Sequence, residues 1–447
     1  MADTIFAPAT APGKAAIAII RLSGPGCADV CRCLTGRSTP PPRRAALRRI
    51  HEPASGQPID HGLVIWFPGP ASETGEDVLE LQVHGGHAVT AELLRGLASL
   101  PDLRPAEPGE FTRRAFLNGR IDLTAAEGLA DLVAAETRAQ AQQALRQLDG
   151  ELGRLYERWR SELLSALARI EAEIDFSADQ DVTGDMAAAV RPVLKRVSAE
   201  MAAHLDDARR GERLRAGLTI AVVGPPNAGK SSLINRLAQR DVAIVTAEPG
   251  TTRDVLEIHL DLAGLPVTLL DTAGLREPAG TAEAEGVRRA RQRAGQADLR
   301  LALFDGALWP GLDPETLALL DETTIVAVNK ADLGTLCAEL VVAGRRAERL
   351  SCLSGEGIER LLDLLSERAG EQMAAGSAPL LTRSRHRAAL RAAHEALVRI
   401  AALPADAELA LLAEDLRLAV RAIGRITGRV AVEDLLDRIF AEFCIGK

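Results

Sequence analysis

The chain has 447 residues, of which 47% are hydrophobic and 26% charged, and its formal net charge at pH 7 is −9. That length exceeds what one growing core sustains, so two or three domains are expected. The negative balance excludes a globally basic, phosphate-coating nucleic-acid binder and leaves only local basic patches open.

In chain order, the N-terminus opens Met-Ala-Asp without a basic region, and its apolar stretch Ala15 to Ile20 is too short for a membrane span or a signal core. It reads as a strand, and no membrane partner is expected. Residues 1–120 mix β-like runs, Ala15 to Leu22 and Leu63 to Phe67, with breaks such as Pro40-Pro41-Pro42, which predicts a compact α+β domain. His84 and His87 lack a Cys or carboxylate cluster to complete a metal site and read as hydrogen-bonded histidines. Cys27, Cys31 and Cys33 meet the same objection, and six cysteines in all give no paired framework of the secreted kind, so a reducing, cytoplasmic setting is expected. Three arginine-rich patches, around Arg43 to Arg49, Arg288 to Arg293 and Arg383 to Arg387, read as solvated helix or loop faces.

From Leu123 to about Leu214 the pattern turns helical. Leu145, Leu148, Leu152, Leu155, Trp159, Leu163, Ala166 and Ile170 step by threes and fours, which predicts one long bundle helix with a single buried stripe. The segment Asp175 to Asp181 marks a helix end.

Next comes Gly224-Pro-Pro-Asn-Ala-Gly-Lys-Ser231, between the apolar run Leu218 to Val223 and the amphipathic run Ser232 to Leu237. This reads as strand, loop and helix. In Gly-x-x-x-x-Gly-Lys-Ser the glycines let backbone N–H groups close around phosphate at the positive end of the helix, Lys230 reaches the β- and γ-phosphates, and the Ser231 hydroxyl meets Mg²⁺. Residues 256–262 alternate, Ala263-Gly264 turns, and Leu265 to Leu270 returns as a hairpin. Further strands are expected at Leu299 to Phe304 and Thr324 to Val328, in an α/β sheet ending near Arg368, with a loose linker over 369–378. His386 to Phe443 is helical again, with Leu397, Ile400, Leu411, Leu416, Val420, Ile423, Leu435 and Ile439 apolar. Helices flanking the α/β unit on both sides predict an α/β domain inserted into a helical one.

Asp271-Thr272-Ala273-Gly274 follows the strand Val267 to Leu270, where an Asp holds Mg²⁺ indirectly and a Gly amide senses the γ-phosphate. Asn329-Lys330-Ala331-Asp332 ends another strand, and a carboxylate there accepts from N–H groups that guanine has and adenine lacks. Ser351-Cys352-Leu353 stands where the last base-contacting loop is expected, although Cys352 and Leu353 depart from the usual Ser-Ala-Lys. Leu275 occupies the place of the Gln that orients water in Ras-like enzymes. A leucine cannot do this, and the acidic segment Glu283-Ala-Glu285 is the nearest substitute.

This ordered set, with Pro249-Gly-Thr-Thr-Arg-Asp254, resembles the GTPase domain of the translation-factor-related class. Together with Ile19 to Gly24, Gly75 to Gly86, Pro108 to Arg120 and the ending Phe443-Cys-Ile-Gly-Lys447, it makes the whole chain resemble the MnmE (TrmE) family of tRNA modification GTPases. The resemblance implies an N-terminal α+β domain, residues 1–120, that binds folate and dimerises. It implies an α-helical bundle domain, residues 121–215 and 376–447, around an α/β P-loop GTPase domain at 216–375.

The implied GTP contacts are Asn227, Ala228, Gly229, Lys230, Ser231 and Ser232; Thr246, Ala247, Glu248, Pro249, Gly250, Thr251 and Thr252; Asp271, Thr272, Ala273 and Gly274; Asn329, Lys330 and Asp332; and Ser351, Cys352 and Leu353. Mg²⁺ falls to Ser231 and Thr252, and K⁺ in place of an arginine finger to Asn227, Thr246, Glu248 and Thr251. Ala247-Glu248 stand where the family commonly has Asp-Ile. Glu283 aligns with the water-positioning glutamate. Arg21, Glu80, Arg120 and Lys447 fall on the contacts of a tetrahydrofolate one-carbon donor, formyl or methylene. Implied partners are a second copy of the chain as a homodimer, the flavoprotein MnmG in a heterotetramer, and tRNA, whose wobble uridine receives an aminomethyl or carboxymethylaminomethyl group at C5. Cys444 is a nucleophile, a packing residue or a tRNA contact. The alternative is an Era-like switch that binds ribosomal RNA or a protein without modification chemistry.

Overall fold

The computed structural model describes residues 3–176, 186–240, 242–244, 257–271, 295, 297–334, 336–337, 339–373, 379–404, 408–430, 433–441, 443 and 446. Its elements are β1 (Thr4–Pro8), β2 (Ala18–Ser23), α1 (Cys27–Thr35), β3 (Ala46–His51), β4 (Pro58–Phe67), β5 (Val78–Val83), α2 (His87–Ala98), β6 (Leu103–Pro105), α3 (Glu110–Leu117), α4 (Leu123–Ala134), α5 (Arg138–Leu148), α6 (Glu151–Phe176), α7 (Met186–Leu205) and α8 (Arg210–Ala216). There follow β7 (Leu218–Val223), α9 (Lys230–Ala238), β8 (Glu257–Leu262), β9 (Leu265–Asp271), β10 (Leu299–Asp305), β11 (Thr324–Asn329), β12 (Leu340–Val342), β13 (Arg345–Arg349), α10 (Ile358–Met373), α11 (Ser384–Ala402), α12 (Leu409–Thr427) and α13 (Glu433–Ala441). By compactness the chain divides into two units. One comprises Met1–Ala130, Gln147–Glu162 and Val420–Lys447, the other Asp131–Arg146 and Leu163–Ala419.

The first unit is built on a six-stranded sheet in the order β3-β4-β5-β2-β1-β6, in which only β1 and β6 pair in parallel. Strand alternation turns Ile20, Leu22, Val64, Trp66, Leu79 and Leu81 to one face, where Val30 and Leu34 of α1 and Leu93 and Leu97 of α2 cover them. Cys27 and Cys31 lie in that core, and burial pushes both thiols up. They are packing residues. The C-terminal helix α13 belongs to this unit: Phe440 and Phe443 pack with Leu123 and Ala126, and Phe440 stands 6.4 Å from Phe116, centroid to centroid.

The second unit holds a seven-stranded sheet, β12-β13-β11-β10-β7-β9-β8. Strands β13, β11, β10, β7 and β9 are parallel and the two edges antiparallel. Both faces are buried, as the near-continuous apolar runs of β7, β10 and β11 require. Ile220, Val222, Leu301 and Leu303 meet Leu233, Leu237, Leu361 and Leu365 on one face, while Val223, Phe304, Val326 and Val328 form a second cluster on the other. The two-residue turn of the β8–β9 hairpin has both Ala263 (φ 53°) and Gly264 (φ 86°) left-handed, the geometry that matches strand twist.

Four readings of the sequence change. Ala15 to Ile17 precede β2, and Ile17 is exposed, whereas β4 starts five residues before Leu63. The apolar stripe from Leu145 to Ile170 is divided between α5 and α6, because Gly150 adopts φ 80° and ends the first helix; Leu145 is 48% exposed, and the buried stripe is Leu152, Tyr156, Trp159, Leu163 and Ile170. Residues 369–373 belong to α10, where Ala369 and Met373 continue the buried face of Leu361 and Leu365. Leu411 is 54% exposed, and Leu412, Leu416, Ala419 and Ile423 form the buried face of α12. Among the described residues no helix is long and apolar enough to cross a membrane.

Candidate nucleotide site

The loop between β7 and α9 reverses direction at Asn227 (φ 64°) and Gly229 (φ 97°). Asn tolerates the left-handed region through its short polar side chain. At Gly229 a Cβ would fall 2.2 Å from Asn329 Nδ2, so glycine is required there by both backbone conformation and space. Lys230 is buried, and its Nζ donates to the carbonyls of Gly224 (2.7 Å) and Pro225 (2.9 Å), which holds an ammonium beside the N-terminus of α9. Backbone amides, helix dipole and a lysine meet at the N-terminus of α9, the chemistry of an anion cradle.

Ser231, on the first turn of α9, donates its hydroxyl to Asp271 Oδ2 at 2.9 Å. Asp271 ends β9 and is fully buried. A hydroxyl and a carboxylate at the cradle form the hard oxygen set that suits Mg²⁺, with the carboxylate able to act through the hydroxyl or through water. Ala228 is buried and Ser232 exposed.

On the base side, Asn329 Nδ2 donates to Ala228 O (2.8 Å) while its Oδ1 accepts from the Cys352 amide (2.9 Å). One side chain thereby ties the phosphate loop to the Ser351–Leu353 loop. Ser351 Oγ donates to Asp332 Oδ1 at 2.5 Å and accepts from the amides of Leu353 (3.2 Å) and Ser354 (3.0 Å). Lys330, left-handed at φ 66°, pairs with Asp305 Oδ2 at 2.6 Å. The structure thus brings together Asn227 to Ser232, Asp271, Asn329, Lys330, Asp332 and Ser351 to Leu353. Burial pushes the Cys352 thiol up to about 11, and Leu353 is 81% exposed.

Thr246 to Thr252, Thr272 to Gly274, Glu283, Cys444 and Lys447 lie outside the described residues. Two participants escaped the sequence reading. Asp305 is the register partner of Asn329 at the end of β10, a signal available only once the strands are aligned. Arg236 of α9 donates from Nη1 to the carbonyls of Cys352 and Leu353, each at 3.1 Å.

In the first unit, Arg21 and Glu80 are register partners on β2 and β5. Arg21 Nη2 lies 2.9 Å from Glu80 Oε1, and Nη1 lies 2.6 Å from Glu73 Oε2. Arg120 passes close to Gly75, where a Cβ would fall 3.3 Å from its Cγ. Gly446 packs on Pro8, one residue from Ala7, which is the β1 partner of Arg21. Arg21, itself paired with Glu80, and Arg120 therefore both reach the loop at 73–77.

A further network supports that loop. Arg114 bonds Asp3 (2.9 Å), Glu76 (3.0 Å) and Glu110 (3.0 Å); Arg104 bonds Glu110 (2.5 Å) and Asp3. Ser23 Oγ meets Thr74 Oγ1 at 2.7 Å and donates to Glu76, and Asn118 Nδ2 donates to Thr74 O at 2.7 Å. Burial raises the Glu110 carboxyl, but bonds from Arg104, the Glu107 amide and Arg114 outweigh it and hold it below the usual range. His84 pairs with Asp60 at 2.8 Å.

Residues 4–120 match the family described as the GTP-binding protein TrmE N-terminus, and residues 123–444 match the MnmE helical domain. The chain is 54% identical over 448 residues to a tRNA modification GTPase MnmE of Parvibaculum lavamentivorans, with full coverage of both chains. It is also 54% identical, again with full coverage of both, to that of Paramagnetospirillum magneticum. The corresponding protein of Rhodospirillum rubrum is 54% identical over 457 residues, covering 100% of this chain and 99% of the other.

Proposed function

From the premise that the chain belongs to the MnmE family of tRNA modification GTPases and is a GTP hydrolase, we propose that it hydrolyses GTP in a K⁺-dependent way to drive modification of the tRNA wobble uridine. The observation that carries the nucleotide half is the buried Lys230 beside the Ser231–Asp271 bond at the N-terminus of α9. Amides from Asn227 to Ser232 bind the phosphates, and Lys230 trades its loop carbonyls for the β- and γ-oxygens. Ser231 and Thr252 hold Mg²⁺, which draws charge from between those phosphates. Asp332 accepts from the guanine N–H groups, with its other oxygen fixed by Ser351.

Leu275 has no polar group to orient water, so Glu283 takes that role. Asn227, Thr246, Glu248 and Thr251 hold K⁺, which supplies the positive charge an arginine finger gives elsewhere, an effect on the order of 10³ to 10⁵ in rate. Ala247, Pro249, Gly250, Thr272, Ala273 and Gly274 are the remaining GTP contacts of this reading.

In this reading residues 1–120 dimerise and bind a tetrahydrofolate one-carbon donor through Arg21, Glu80, Arg120 and Lys447. The closeness of Gly446 to the strand pair bearing Arg21 supports that set. A helical domain, 121–215 and 376–447, carries the GTPase domain, 216–375. The flavoprotein MnmG completes the heterotetramer in the cytoplasm, and Cys444 serves as a nucleophile, a packing residue or a tRNA contact. The match of residues 4–120 to the TrmE N-terminus favours this over the Era-like reading. Single-turnover GTP hydrolysis in K⁺ and in Na⁺ tests it. Faster turnover in K⁺ is expected, with the response lost in Asn227→Ala and turnover slowed in Glu283→Ala; equal rates in the two salts remove the cation from the mechanism.

A further inference from the structure

We propose that Arg236, on the second turn of α9, is a positioning residue for guanine selectivity: it fixes the peptide planes of the 351–355 loop from behind. The inference rests on the guanine-binding reading above. One guanidinium nitrogen donates to two successive carbonyls, Cys352 O and Leu353 O, each at 3.1 Å. Once those carbonyls point at Arg236, the amides of Leu353 and Ser354 point the opposite way, and both donate to Ser351 Oγ. The same hydroxyl, its acceptor capacity filled, donates to Asp332 Oδ1. Asp332 is thus oriented by a chain of bonds that begins on the phosphate-binding helix.

Two more observations mark the contact as built. Gly355 (φ 92°) is the residue that makes room, because a Cβ there would fall 2.4 Å from Arg236 Nη2. Arg236 Nε is buried and has no acceptor among the described residues. A surface arginine would avoid that cost by turning to solvent, so the guanidinium is retained against a desolvation penalty. The loop's own departures fit as well. Leu353 is exposed and offers no charge to anchor its loop, so the anchor comes from the helix. Lysine would replace it only in part: its ammonium is a point charge on a flexible stem, whereas the planar guanidinium holds both N–H bonds of Nη1 in one fixed plane toward the two carbonyls.

The test is competition binding of GTP and ATP to the full chain, for wild type, Arg236→Ala, Arg236→Lys and Gly355→Ala. A loss confined to base reading lowers the ratio of GTP to ATP affinity, by about tenfold in Arg236→Ala, the scale of a bond to a charged group. Arg236→Lys should recover only part of that ratio, and it carries the test if the alanine variant does not fold. Gly355→Ala should lower the ratio too, and adding Arg236→Ala to it should cost little more, because the displaced group is already gone. Equal weakening of GTP and ATP would overturn the proposal, since Arg236 would then support phosphate binding only. An unchanged ratio would overturn it as well. A wild-type protein without GTP preference would instead overturn the guanine reading itself.

Discussion

In the nucleotide site of the α/β sheet the backbone does most of the positioning: loop carbonyls receive Lys230 and Arg236, Ala228 O receives Asn329, and the Cys352, Leu353 and Ser354 amides find side-chain acceptors. In the first unit, on and around the six-stranded sheet, side chains hold side chains, Arg21 between Glu73 and Glu80, and Arg114 among Asp3, Glu76 and Glu110. A backbone-built site needs glycines at fixed offsets and so writes a motif into the sequence. A site built from cross-strand pairs needs only that strands align, and leaves no spacing to read. The two should fail differently when damaged.

The largest effect is expected at Asp332, the carboxylate proposed to accept from the guanine N–H groups. Asp332→Asn should exchange guanine for xanthine preference, moving the ratio of GTP to XTP affinity by ~10⁴, as sites built to bond a particular N–H do. Competition binding of the two nucleotides checks this. Unchanged GTP affinity would remove Asp332 from base recognition.

Gly229→Ala probes the backbone directly. The added methyl meets Asn329 Nδ2 in a left-handed backbone, so both loops tied by Asn329 should be disturbed. GTP affinity should fall at least ~100-fold, about 2.7 kcal/mol, by equilibrium titration. Retained affinity would show that the loop relaxes around a side chain.

Arg114→Ala probes the opposite construction. Arg114 is largely buried, and its loss takes one cation from three carboxylates, leaving Asp3 and Glu110 to Arg104 and Glu76 to Ser23, which should cost about 2 kcal/mol in the opening of β1 and β2, measured by amide hydrogen exchange on the full chain. GTP affinity should not follow. Acid should act in the same place: Glu110 is held below its ordinary 4.5, so its stabilisation is complete above that pH and drains away as pH falls through the lowered folded value. The protection of β1, its exchange corrected for the intrinsic pH dependence of the amides, should therefore be lost in acid more steeply in wild type than in Arg114→Ala. Parallel acid profiles would leave Arg104 and the Glu107 amide as the groups that hold Glu110, without Arg114.

The sequence by itself determined what depends on local backbone and periodicity. Gly224 to Ser231 announced strand, loop and helix, and Ala263-Gly264 announced a two-residue hairpin, because left-handed backbone and close approach to phosphate restrict residue choice at each position. It misjudged Leu145 to Ile170, where apolar spacing continues through a break that Gly150 makes, and residues 369–373, whose polar linker-like composition hides a buried Ala369 and Met373. Only the tertiary structure decided which distant residues meet. Asp305 reaches Lys330 because β10 and β11 are in register, Arg21 reaches Glu80 because β2 and β5 are, and Arg236 reaches the 352–353 carbonyls because α9 packs on the sheet bearing that loop. Such pairs carry no signature of their own. A charged side chain selects a partner by distance, and distance between remote residues is fixed only when the apolar faces of strand and helix have found each other.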